Sequence, residues 1–362
     1  MIFDPNTSGR YTIGMATPSP TVSIIIPTHN RTLYFTQALQ SCLNQSYKDY
    51  EILVYDSSSH EEIRAIVDSF ASPQVQFVKD QINFDITGKL NMALGNARGR
   101  WAIVLGDDDH FSPDCLETLI AHTQTYPDAT LLKGRYTLIN AKGNVVRQDP
   151  PIPLRMPPAE FLRRIFLPET KSFKKNISGI LFPTALLKKL GGFVRFHKGW
   201  HMDTYSFAMM GSQGTCIIDE KFLCNVRLHA GAVTGSLDAD YVASIETDIR
   251  MKKLTENLFN ELAKKLETPE EKAQLAEARK NFEKYIRRHL NRSMDQGFLR
   301  ILEGHSKNTA GLLKPLFQKM RDLGLPIFRS AKFYPLLALV PYPLRKPVVD
   351  RIKVYKISLA CK

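Results

Sequence analysis

Three consecutive aspartates, Asp107, Asp108 and Asp109, directly follow the apolar segment 101–105 (WAIVL) in this chain of 362 residues. Adjacent carboxylates repel one another unless a cation lies close to them. Oxygen ligands of this kind suit Mg²⁺ and Mn²⁺, which also bind the oxygens of a diphosphate. The alternatives are a solvated acidic turn, or an N-cap of the next helix for which Asp109 is the candidate. Because the run directly follows a buried strand, we favour the metal site.

Two earlier apolar segments also end in polar residues. Segment 22–26 (VSIII) is followed by PTHNR at 27–31, and segment 51–55 (EILVY) is followed by Asp56. Short apolar runs rich in β-branched residues predict strands that are buried on both faces of a parallel sheet. Because ligands bind beyond the carboxyl ends of such strands, we expect the three polar groups to meet at one edge of the sheet.

Amphipathic segments alternate with the apolar ones in the first part of the chain. Helices are expected over 31–43, 61–70, 87–97 and 113–126, and a further strand over 75–78. This alternation predicts an α/β fold with a Rossmann-like, doubly wound and mostly parallel sheet. The other expected elements are strands at 129–133, 136–140, 178–182 and 216–219, helices at 184–190 and 201–210, and a helical C-terminal extension in which TPEE at 268–271 begins a helix that reaches Arg292.

Three stretches within residues 21–126 together resemble the family 2 glycosyltransferases with the GT-A fold. They are VSIIIPTHNR at 22–31, YEILVYDSSSHEE at 50–62 and GNARGRWAIVLGDDDHFSPDCLE at 95–117. The resemblance implies a GT-A domain that transfers a sugar, with inversion, from a nucleotide-sugar donor to an acceptor hydroxyl. It also implies Mn²⁺ or Mg²⁺ as the cofactor. Within these three stretches, two positions depart from the family pattern, since Ser57 follows Asp56 and Gly106 replaces the first aspartate of the usual motif.

The resemblance also assigns residues of the nucleotide-sugar site. Those that match the family motifs are Pro27, Thr28, Asn30, Arg31, Asp56, Asp107 and Asp108. Asp56 is expected to face the base, Asp107 to lie near the ribose or the metal, and Asp108 to bind Mn²⁺ or Mg²⁺. Lys89 is a further candidate, because its ammonium is a point charge that suits a diphosphate. The alternative for Lys89 is a solvated position on the helix surface.

The catalytic base is expected in the second half of the chain, because an acceptor hydroxyl must lose its proton. The family places an aspartate on a helix after a Gly-Gly-Phe turn, and GGF at 191–193 precedes WHMD at 200–203. Asp203 therefore matches the base, although Met202 replaces the usual Glu. His201 is the alternative base, since imidazole often serves in this role. A structural role for Asp203, capping or solvating its helix, is the other alternative.

A later stretch, VRLH at 226–229, resembles the R-x-H sequence of the family. His229 is expected to complete the metal site, and Arg227 to contact phosphate. A structural loop histidine is the alternative for His229. The small, glycine-containing segment 230–237 is expected to close over the bound donor as a lid.

The excess positive charge is confined to the last third of the chain. The whole chain holds 49 Lys and Arg against 36 Asp and Glu, a net charge of +13, and residues 250–362 hold 25 and 11 of these. The apolar stretch 333–344 is too short, and too rich in proline, to span a bilayer. We expect this region to contact an anionic membrane peripherally. A flap packed on the catalytic domain is an equal alternative, and nucleic acid is not expected as a partner.

The expected domains are an N-terminal arm at 1–20, a GT-A domain with donor and acceptor halves at 21–126 and 127–245, and a basic helical region at 246–362. Neither a run of about 20 apolar residues nor a secretory signal is found. Five scattered cysteines lack metal-binding spacing, which favours reduced thiols. These features predict a cytoplasmic protein at the inner face of the cell membrane.

The expected function is the synthesis of surface polysaccharide or glycan, with a glycan or lipid-linked acceptor. A nucleotidyltransferase is one alternative, although PTHNR at 27–31 lacks the glycines of a phosphate-binding loop. A catalytically silent nucleotide-sugar-binding protein is the other. A dinucleotide oxidoreductase is disfavoured, because no GxGxxG sequence follows a predicted strand.

Overall fold

The computed structural model describes residues 19–79, 85–168, 172–229 and 241–303. The strands are β1 (Val22–Thr28), β2 (Tyr50–Asp56), β3 (Val75–Lys79), β4 (Trp101–Val104), β5 (His110–Phe111), β6 (Ala129–Asn140), β7 (Val145–Gln148), β8 (Arg155–Met156), β9 (Ile180–Pro183) and β10 (Thr215–Leu228). The helices are α1 (Phe35–Leu43), α2 (Glu62–Ser69), α3 (Ile86–Asn96), α4 (Cys115–Thr125), α5 (Pro158–Ile165), α6 (Thr184–Lys189), α7 (Met202–Gly211), α8 (Tyr241–Ala263) and α9 (Pro269–Glu303). The expected lid at 230–237, the apolar stretch at 333–344 and nearly all of the arm at 1–20 lie outside the described residues.

The strands form one mixed sheet with the order β3-β2-β1-β4-β9-β6-β10-β5. The first four strands are mutually parallel, β9 is antiparallel to both of its neighbours, and β6 and β10 are parallel again. The predicted α/β class with a mostly parallel sheet is therefore confirmed. Because the chain leaves β1 toward β2 and β3 and then returns to β4 on the other side, the sheet changes direction between β1 and β4. Ligands of such sheets bind at this point, beyond the carboxyl ends of the strands.

The core forms where apolar strands meet the buried faces of helices. Every residue of β1 and β2 is buried, as expected for parallel strands that are covered on both faces. Helix α1 buries its apolar positions Phe35, Ala38, Leu39 and Cys42, which recur at helical spacing. This burial holds the carboxyl ends of the strands in fixed positions.

Strand β1 extends two residues beyond its predicted end. The strand was expected to end at Ile26, before Pro27, but it runs to Thr28. Its partner β4 ends at Val104, which is paired with Ile25. Pro27 has no N–H to donate. No hydrogen bond of the sheet is lost, because β4 does not extend alongside Pro27.

Two predicted strands, 129–133 and 136–140, are one continuous strand, β6. The interruption that the sequence suggests at Gly134 is a close approach: a Cβ atom there would lie 2.5 Å from Cγ of Leu223 on β10. Strand β10 is also much longer than the predicted 216–219, because it pairs with β6 along most of its length. Prediction therefore missed the segment that leads to Arg227.

Lys133 of β6 is a fully buried lysine within this sheet. Its Nζ lies 3.5 Å from Oδ2 of Asp149 and 3.9 Å from the ring centre of Tyr136. Among the described residues, Nζ has no hydrogen-bond partner of good geometry. Burial accordingly lowers the pKa of Lys133 to about 8, and the charge of Asp149 opposes this shift.

The described residues fall into two compact units. The first comprises the residues up to Pro157, with Phe173–Val194 and Gln213–Leu228, and contains the sheet. The second comprises Pro158–Ser172, Arg195–Ser212 and the chain from His229, and contains α5, α7, α8 and α9. The predicted domain divisions after residues 20, 126 and 245 stay predictions. Within the described residues, no helix is long and apolar enough to cross a membrane.

The second unit has an aromatic core of its own. The ring of Phe166 lies 4.8 Å from that of Phe282 and 6.0 Å from that of Phe259. The predicted helix start at Thr268 is confirmed: its Oγ1 accepts the N–H of Glu271 at 3.2 Å, and its own N–H donates to Oε2 of Glu271 at 3.1 Å. Helix α9 continues past the predicted end at Arg292 to Glu303.

Candidate functional site

The end of β1 and the loop after β4 meet at the point where the sheet changes direction. Oγ1 of Thr28 donates a hydrogen bond to Oδ2 of Asp107 at 2.8 Å. Nη1 of Arg31 lies 3.5 Å from Oδ1 of Asp107 and 3.3 Å from Oδ2 of Asp108. The structure therefore brings together four residues that were predicted to bind the nucleotide sugar. Their roles stay predictions.

Asp107 and Asp108 carry the two carboxylates that face Arg31, and of these Asp107 is buried while Asp108 is partly buried. Burial raises the pKa of Asp107, as does the neighbouring charge of Asp108, while Arg31 and the hydrogen bond from Thr28 oppose the shift. The side chain of Asp108 is 16% exposed. Mg²⁺ and Mn²⁺ typically use one or two carboxylates together with substrate phosphates, so this pair of carboxylates fits such an ion.

Asp109 has a structural position in the acidic loop. It is buried, and its carboxylate accepts hydrogen bonds from Oγ of Ser178 at 2.5 Å and from the N–H of Arg227 at 2.8 Å. Burial raises its pKa, and the charge of Asp108 raises it further. Both alternatives for Asp109 are wrong. Its burial excludes a solvated turn, and the residue that precedes α4 is Asp114, which excludes a helix cap. Asp109 instead ties the acidic loop to β10 and to the segment before β9.

Arg227 supports the acidic loop from within the fold. It is 5% exposed, its Nε donates to the carbonyl oxygen of Asp108 at 3.0 Å, and its Nη2 donates to Oε1 of Gln37 at 2.6 Å. Its guanidinium carbon lies 4.2 Å from the ring centre of Tyr34. The guanidinium was predicted to contact phosphate, but these contacts direct it into the protein. We therefore describe Arg227 as a positioning residue for the loop.

The loops after β1 and β2 are joined by Lys89 of α3. Its side chain is 4% exposed, and Nζ donates to the carbonyl oxygen of Thr28 at 2.8 Å and to Oγ of Ser57 at 2.9 Å. The alternative of a solvated position on the helix surface is wrong, because the Lys89 side chain is buried against the ends of β1 and β2. Asp85 is the N-cap of helix α3, and its carboxylate accepts the N–H of Gly88 at 2.8 Å. This cap orients the first turn of the helix.

The loop that follows β1 has a fixed local conformation. Pro27 is buried in β1, whereas Asn30 is exposed and adopts a left-handed φ of 52°. Oδ1 of Asn30 accepts the N–H of Ser59 at 2.9 Å, and its own N–H donates to Oγ of Ser58 at 2.7 Å. Asparagine tolerates this backbone region better than most residues. Asn30 therefore connects the loop after β1 to the loop after β2.

Asp56, at the end of β2, is fully buried. Its Oδ1 accepts the N–H of Ser58 at 2.8 Å and also the hydroxyl of Ser58, while Oδ2 lies 3.0 Å from Nζ of Lys79. These contacts compensate a charge that would otherwise be costly to bury. The predicted contact of Asp56 with the base stays a prediction.

Three of the residues predicted in the acceptor half, Asp203, His201 and His229, lie in the second unit. Asp203 is partly buried in the first turn of α7, where a carboxylate interacts favourably with the helix dipole. It does not occupy the capping position, which is held by His201. His201 is buried, with Nε2 2.6 Å from Oδ1 of Asp248, so it is poorly placed to serve as a base. His229 follows β10 and is partly buried.

Sequence reasoning missed Ser178, which is central to the acidic loop. Its Oγ accepts the N–H of Gly106 at 2.8 Å and donates to Asp109. Ser178 lies 69 residues beyond Asp109 in the chain, and no local motif marks it.

The predicted Gly-Gly turn is present, and Gly192 has a φ of 80°. Its Cα faces Asn91, and a Cβ at this position would lie 2.4 Å from Oδ1 of Asn91.

Comparison with known proteins shows what residues 23–189 are similar to. Residues 23–189 match the model described as "Glycosyl transferase family 2". The putative colanic acid biosynthesis glycosyl transferase WcaA of Escherichia coli (strain K12) is 30% identical over 164 residues, which cover 44% of this chain and 55% of the relative. A GalNAc(5)-diNAcBac-PP-undecaprenol beta-1,3-glucosyltransferase of Campylobacter jejuni is 31% identical over 104 residues, which cover 28% and 34%. The chain thus spans about half, or less, of the length of these relatives.

Solved structures of TarS from S. aureus share the fold. The structure of TarS has a TM-score of 0.55 at 16% identity and covers 83% of this chain and 53% of that chain. The TarS 1–349 complex with UDP-GlcNAc has a TM-score of 0.53 at 16% identity, with coverages of 78% and 86%. At this identity the likeness concerns the fold alone, and it confirms the expected GT-A fold.

Proposed function

Because residues 23–189 match the model of glycosyl transferase family 2, we propose that the chain is a metal-dependent, inverting glycosyltransferase that uses a nucleotide-sugar donor. The observation that carries the proposal is the meeting of Thr28, Arg31, Asp107 and Asp108 at the point where the sheet changes direction. A pair of carboxylates beside a guanidinium, with Asp108 partly exposed, suits a metal diphosphate, which presents both positive and negative charge.

In the proposed reaction Asp108, with Asp107 beside it, holds Mn²⁺ or Mg²⁺. The bound ion would supply positive charge that stabilises the leaving diphosphate. Arg31 contacts both carboxylates, and its guanidinium is proposed to bind a phosphate oxygen of the donor. Lys89 holds the loops after β1 and β2 at a fixed separation and adds a buried positive charge behind Thr28.

Other residues complete the proposed site. Pro27, Asn30 and Asp56 shape the part that receives the nucleoside, through the joined loops after β1 and β2. Asp203 accepts the proton of the acceptor hydroxyl, whose oxygen bonds to the anomeric carbon while the bond from that carbon to the nucleoside diphosphate breaks. This single displacement inverts the anomeric configuration. His229 is proposed as a further metal ligand.

The acceptor is proposed to be a glycan or a lipid-linked saccharide of surface polysaccharide synthesis. The names of the relatives support this, since one acts in colanic acid biosynthesis and another on an undecaprenol-linked glycan. The basic region 246–362 is proposed to bring the protein to the inner face of the cell membrane through anionic lipid. Co-sedimentation with anionic vesicles but not with neutral ones would support this location; equal partitioning would contradict it.

A thermal-shift screen of nucleotide sugars, with and without Mn²⁺, tests the proposed donor site. A ligand that binds the folded state raises the apparent Tm by mass action. We expect at least one UDP- or GDP-sugar to stabilise the wild type only when Mn²⁺ is present. Asp108→Asn should abolish this response, and Asp68→Asn should retain it, because Asp68 is an exposed aspartate paired with Arg64 on α2.

The outcomes of this screen separate the proposal from its alternatives. Stabilisation without sugar transfer or donor hydrolysis would indicate a catalytically silent nucleotide-sugar-binding protein. Release of pyrophosphate from a nucleoside triphosphate would indicate a nucleotidyltransferase. If no nucleotide diphosphate or nucleotide sugar shifts the Tm, the donor site does not exist as proposed.

A further inference from the structure

Two histidines and an aspartate converge in the helical second unit. His201 precedes α7, Asp248 lies on α8 and His289 lies on α9, and one ligand atom from each falls within 4.8 Å of the others. His201 and Asp248 are buried, and His289 is partly buried. All three belong to the second unit, whereas the acidic loop 107–109 belongs to the first. Among the described residues, no other group of His, Cys, Asp and Glu side chains meets the same distance limit.

The two buried ligands already have supporting hydrogen bonds. Nε2 of His201 faces Asp248, and its Nδ1 lies 2.9 Å from the hydroxyl of Tyr285. Oδ2 of Asp248 accepts the hydroxyl of Ser293 at 2.8 Å, which leaves Oδ1 toward His201. Metal-binding histidines commonly use the second ring nitrogen in this way, and metal-binding carboxylates are similarly supported. The cluster therefore contains candidate ligands and also the hydroxyl groups of Tyr285 and Ser293, which orient two of them.

The side chains around the cluster restrict its rings. Tyr285, His289 and Ser293 recur at intervals of four residues along α9, so they share one face of the helix. The ring of His201 packs edge-to-face on Phe196 and on His289, with the two imidazole centres 4.7 Å apart. His201 itself has a left-handed φ of 64°. An uncommon backbone conformation at a residue with so many contacts is typical of functional sites.

We propose that His201, Asp248 and His289 bind one transition-metal ion of the Zn²⁺ class, which joins α7, α8 and α9. Two imidazoles and one carboxylate suit Zn²⁺ rather than Mg²⁺ or Ca²⁺, which prefer oxygen ligands alone. In a tetrahedral zinc site the ligand atoms are about 3.3 Å apart. The observed cluster, with a 2.6 Å contact between His201 and Asp248, reaches this spacing through small side-chain movements. The ion takes the place of the proton between these two residues.

The chain offers a matched control in its first unit. Nε2 of His122 lies 2.6 Å from Oδ2 of Asp219, the same separation as in the His201–Asp248 pair. Over the described ranges, the His122–Asp219 pair is not part of any three-ligand cluster. The His122–Asp219 pair therefore serves as a control for a histidine–aspartate hydrogen bond without a metal site.

Cobalt titration of the full-length protein, first freed of metal by chelation, tests the proposal. Tetrahedral Co²⁺ with nitrogen ligands absorbs strongly in the visible, whereas Co²⁺ bound by oxygen ligands at the acidic loop absorbs weakly. We expect one equivalent of Co²⁺ to develop the strong band, and Zn²⁺ to remove it. His289→Gln and Asp248→Asn should lose the band, and His122→Gln and Asp108→Asn should keep it. Because Asp108→Asn removes only the proposed donor metal, this test does not depend on glycosyl transfer.

A second variant guards against loss of folding. Tyr285→Phe removes only the hydroxyl that faces His201, and we expect it to weaken Zn²⁺ affinity about 10- to 100-fold. Wild-type protein should also gain apparent Tm with increasing Zn²⁺, and His289→Gln should not. A wild type that is folded by circular dichroism but gives no strong Co²⁺ band would overturn the proposal. So would a band that survives in both His289→Gln and Asp248→Asn.

Discussion

The buried ammonium of Lys133 makes the stability of the protein depend on pH in the alkaline range. Burial lowers its pKa from 10.5 to about 8 in the folded protein. Below pH ~8 the folded and unfolded states both carry the proton, so the folded state bears the full unfavourable effect of the buried charge. As the pH rises toward ~10.5, the folded state releases the proton while the unfolded state retains it. The free energy of unfolding therefore increases with pH.

The size of this effect follows from the difference between the two pKa values. The difference between a pKa of about 8 in the folded state and 10.5 in the unfolded state corresponds to about 3 kcal/mol when the transition is complete. Most of this, about 2–3 kcal/mol, should be present by pH ~10. Lys133→Met removes the titrating group, so the stability of the wild type relative to Lys133→Met should rise by that amount between pH ~7 and pH ~10.

Urea unfolding across this pH range measures the difference. Lys221→Met is the matched control, because Lys221 is an exposed lysine that also pairs with an aspartate, Asp114. The control should parallel the wild type, since an exposed ion pair contributes little. A difference between wild type and Lys133→Met that stays constant with pH would refute the reasoning. It would mean that Asp149 fully compensates the buried charge.

Three further predictions concern the site and the helical unit. Ser178→Ala should lower the free energy of unfolding by about 2–4 kcal/mol in urea unfolding, because Oδ2 of Asp109 loses the hydroxyl of Ser178 and the N–H of Gly106 loses its acceptor. Lys89→Met should weaken UDP or GDP binding at least about tenfold in calorimetry, because it releases the loops after β1 and β2. Thr268→Ala should lower stability by about 1 kcal/mol and reduce the Tm, because it removes the cap of α9.

Each of these variants has a control and a contradicting result. Ser59→Ala, at an exposed position, is the control for Ser178→Ala, and equal stability of the two would contradict the role of Ser178. Lys48→Met, on the loop before β2, is the control for Lys89→Met, and unchanged nucleotide affinity in Lys89→Met would exclude Lys89 from the site. Thr123→Ala is the control for Thr268→Ala. Thr123 lies within α4, so Thr268→Ala should be the more destabilising of the two if the cap matters.

The strands and their polar ends were predictable because both leave local signals. A run such as VSIII at 22–26 predicts a buried strand by composition alone, and the residues that follow must then lie at its carboxyl end. Parallel pairing brings those ends together without further information. The meeting of Thr28 and Asp107, 79 residues apart, follows from these two rules.

Interactions that depend on tertiary contact were not predictable in this way. Ser178 and the N–H of Arg227 reach Asp109 only because β9 and β10 pair beside the acidic loop. Strand β10 was itself underestimated, since its polar residues at 219–221 interrupt the apolar pattern. The burial of Lys89 was missed for a similar reason, because a lone lysine in a helical pattern usually faces solvent.

The His201–Asp248–His289 cluster shows the same limit in the second unit. Its members are separated by 47 and 41 residues and lie on three different helical elements. Zinc motifs that can be read from sequence place their ligands in closely spaced pairs. Only the packing of α7, α8 and α9 brings these three side chains together.

The most direct test of the proposed function is donor turnover by the wild type and by Asp108→Asn. Full-length protein is incubated with the nucleotide sugar that gives the largest thermal shift, and release of the nucleoside diphosphate is followed with and without Mn²⁺. We predict Mn²⁺-dependent release by the wild type, at least about 100-fold slower release by Asp108→Asn, and unchanged release by Asp68→Asn. Release that is equally fast in Asp108→Asn, or that does not require a divalent metal, would contradict a metal-dependent transferase centred on the acidic loop.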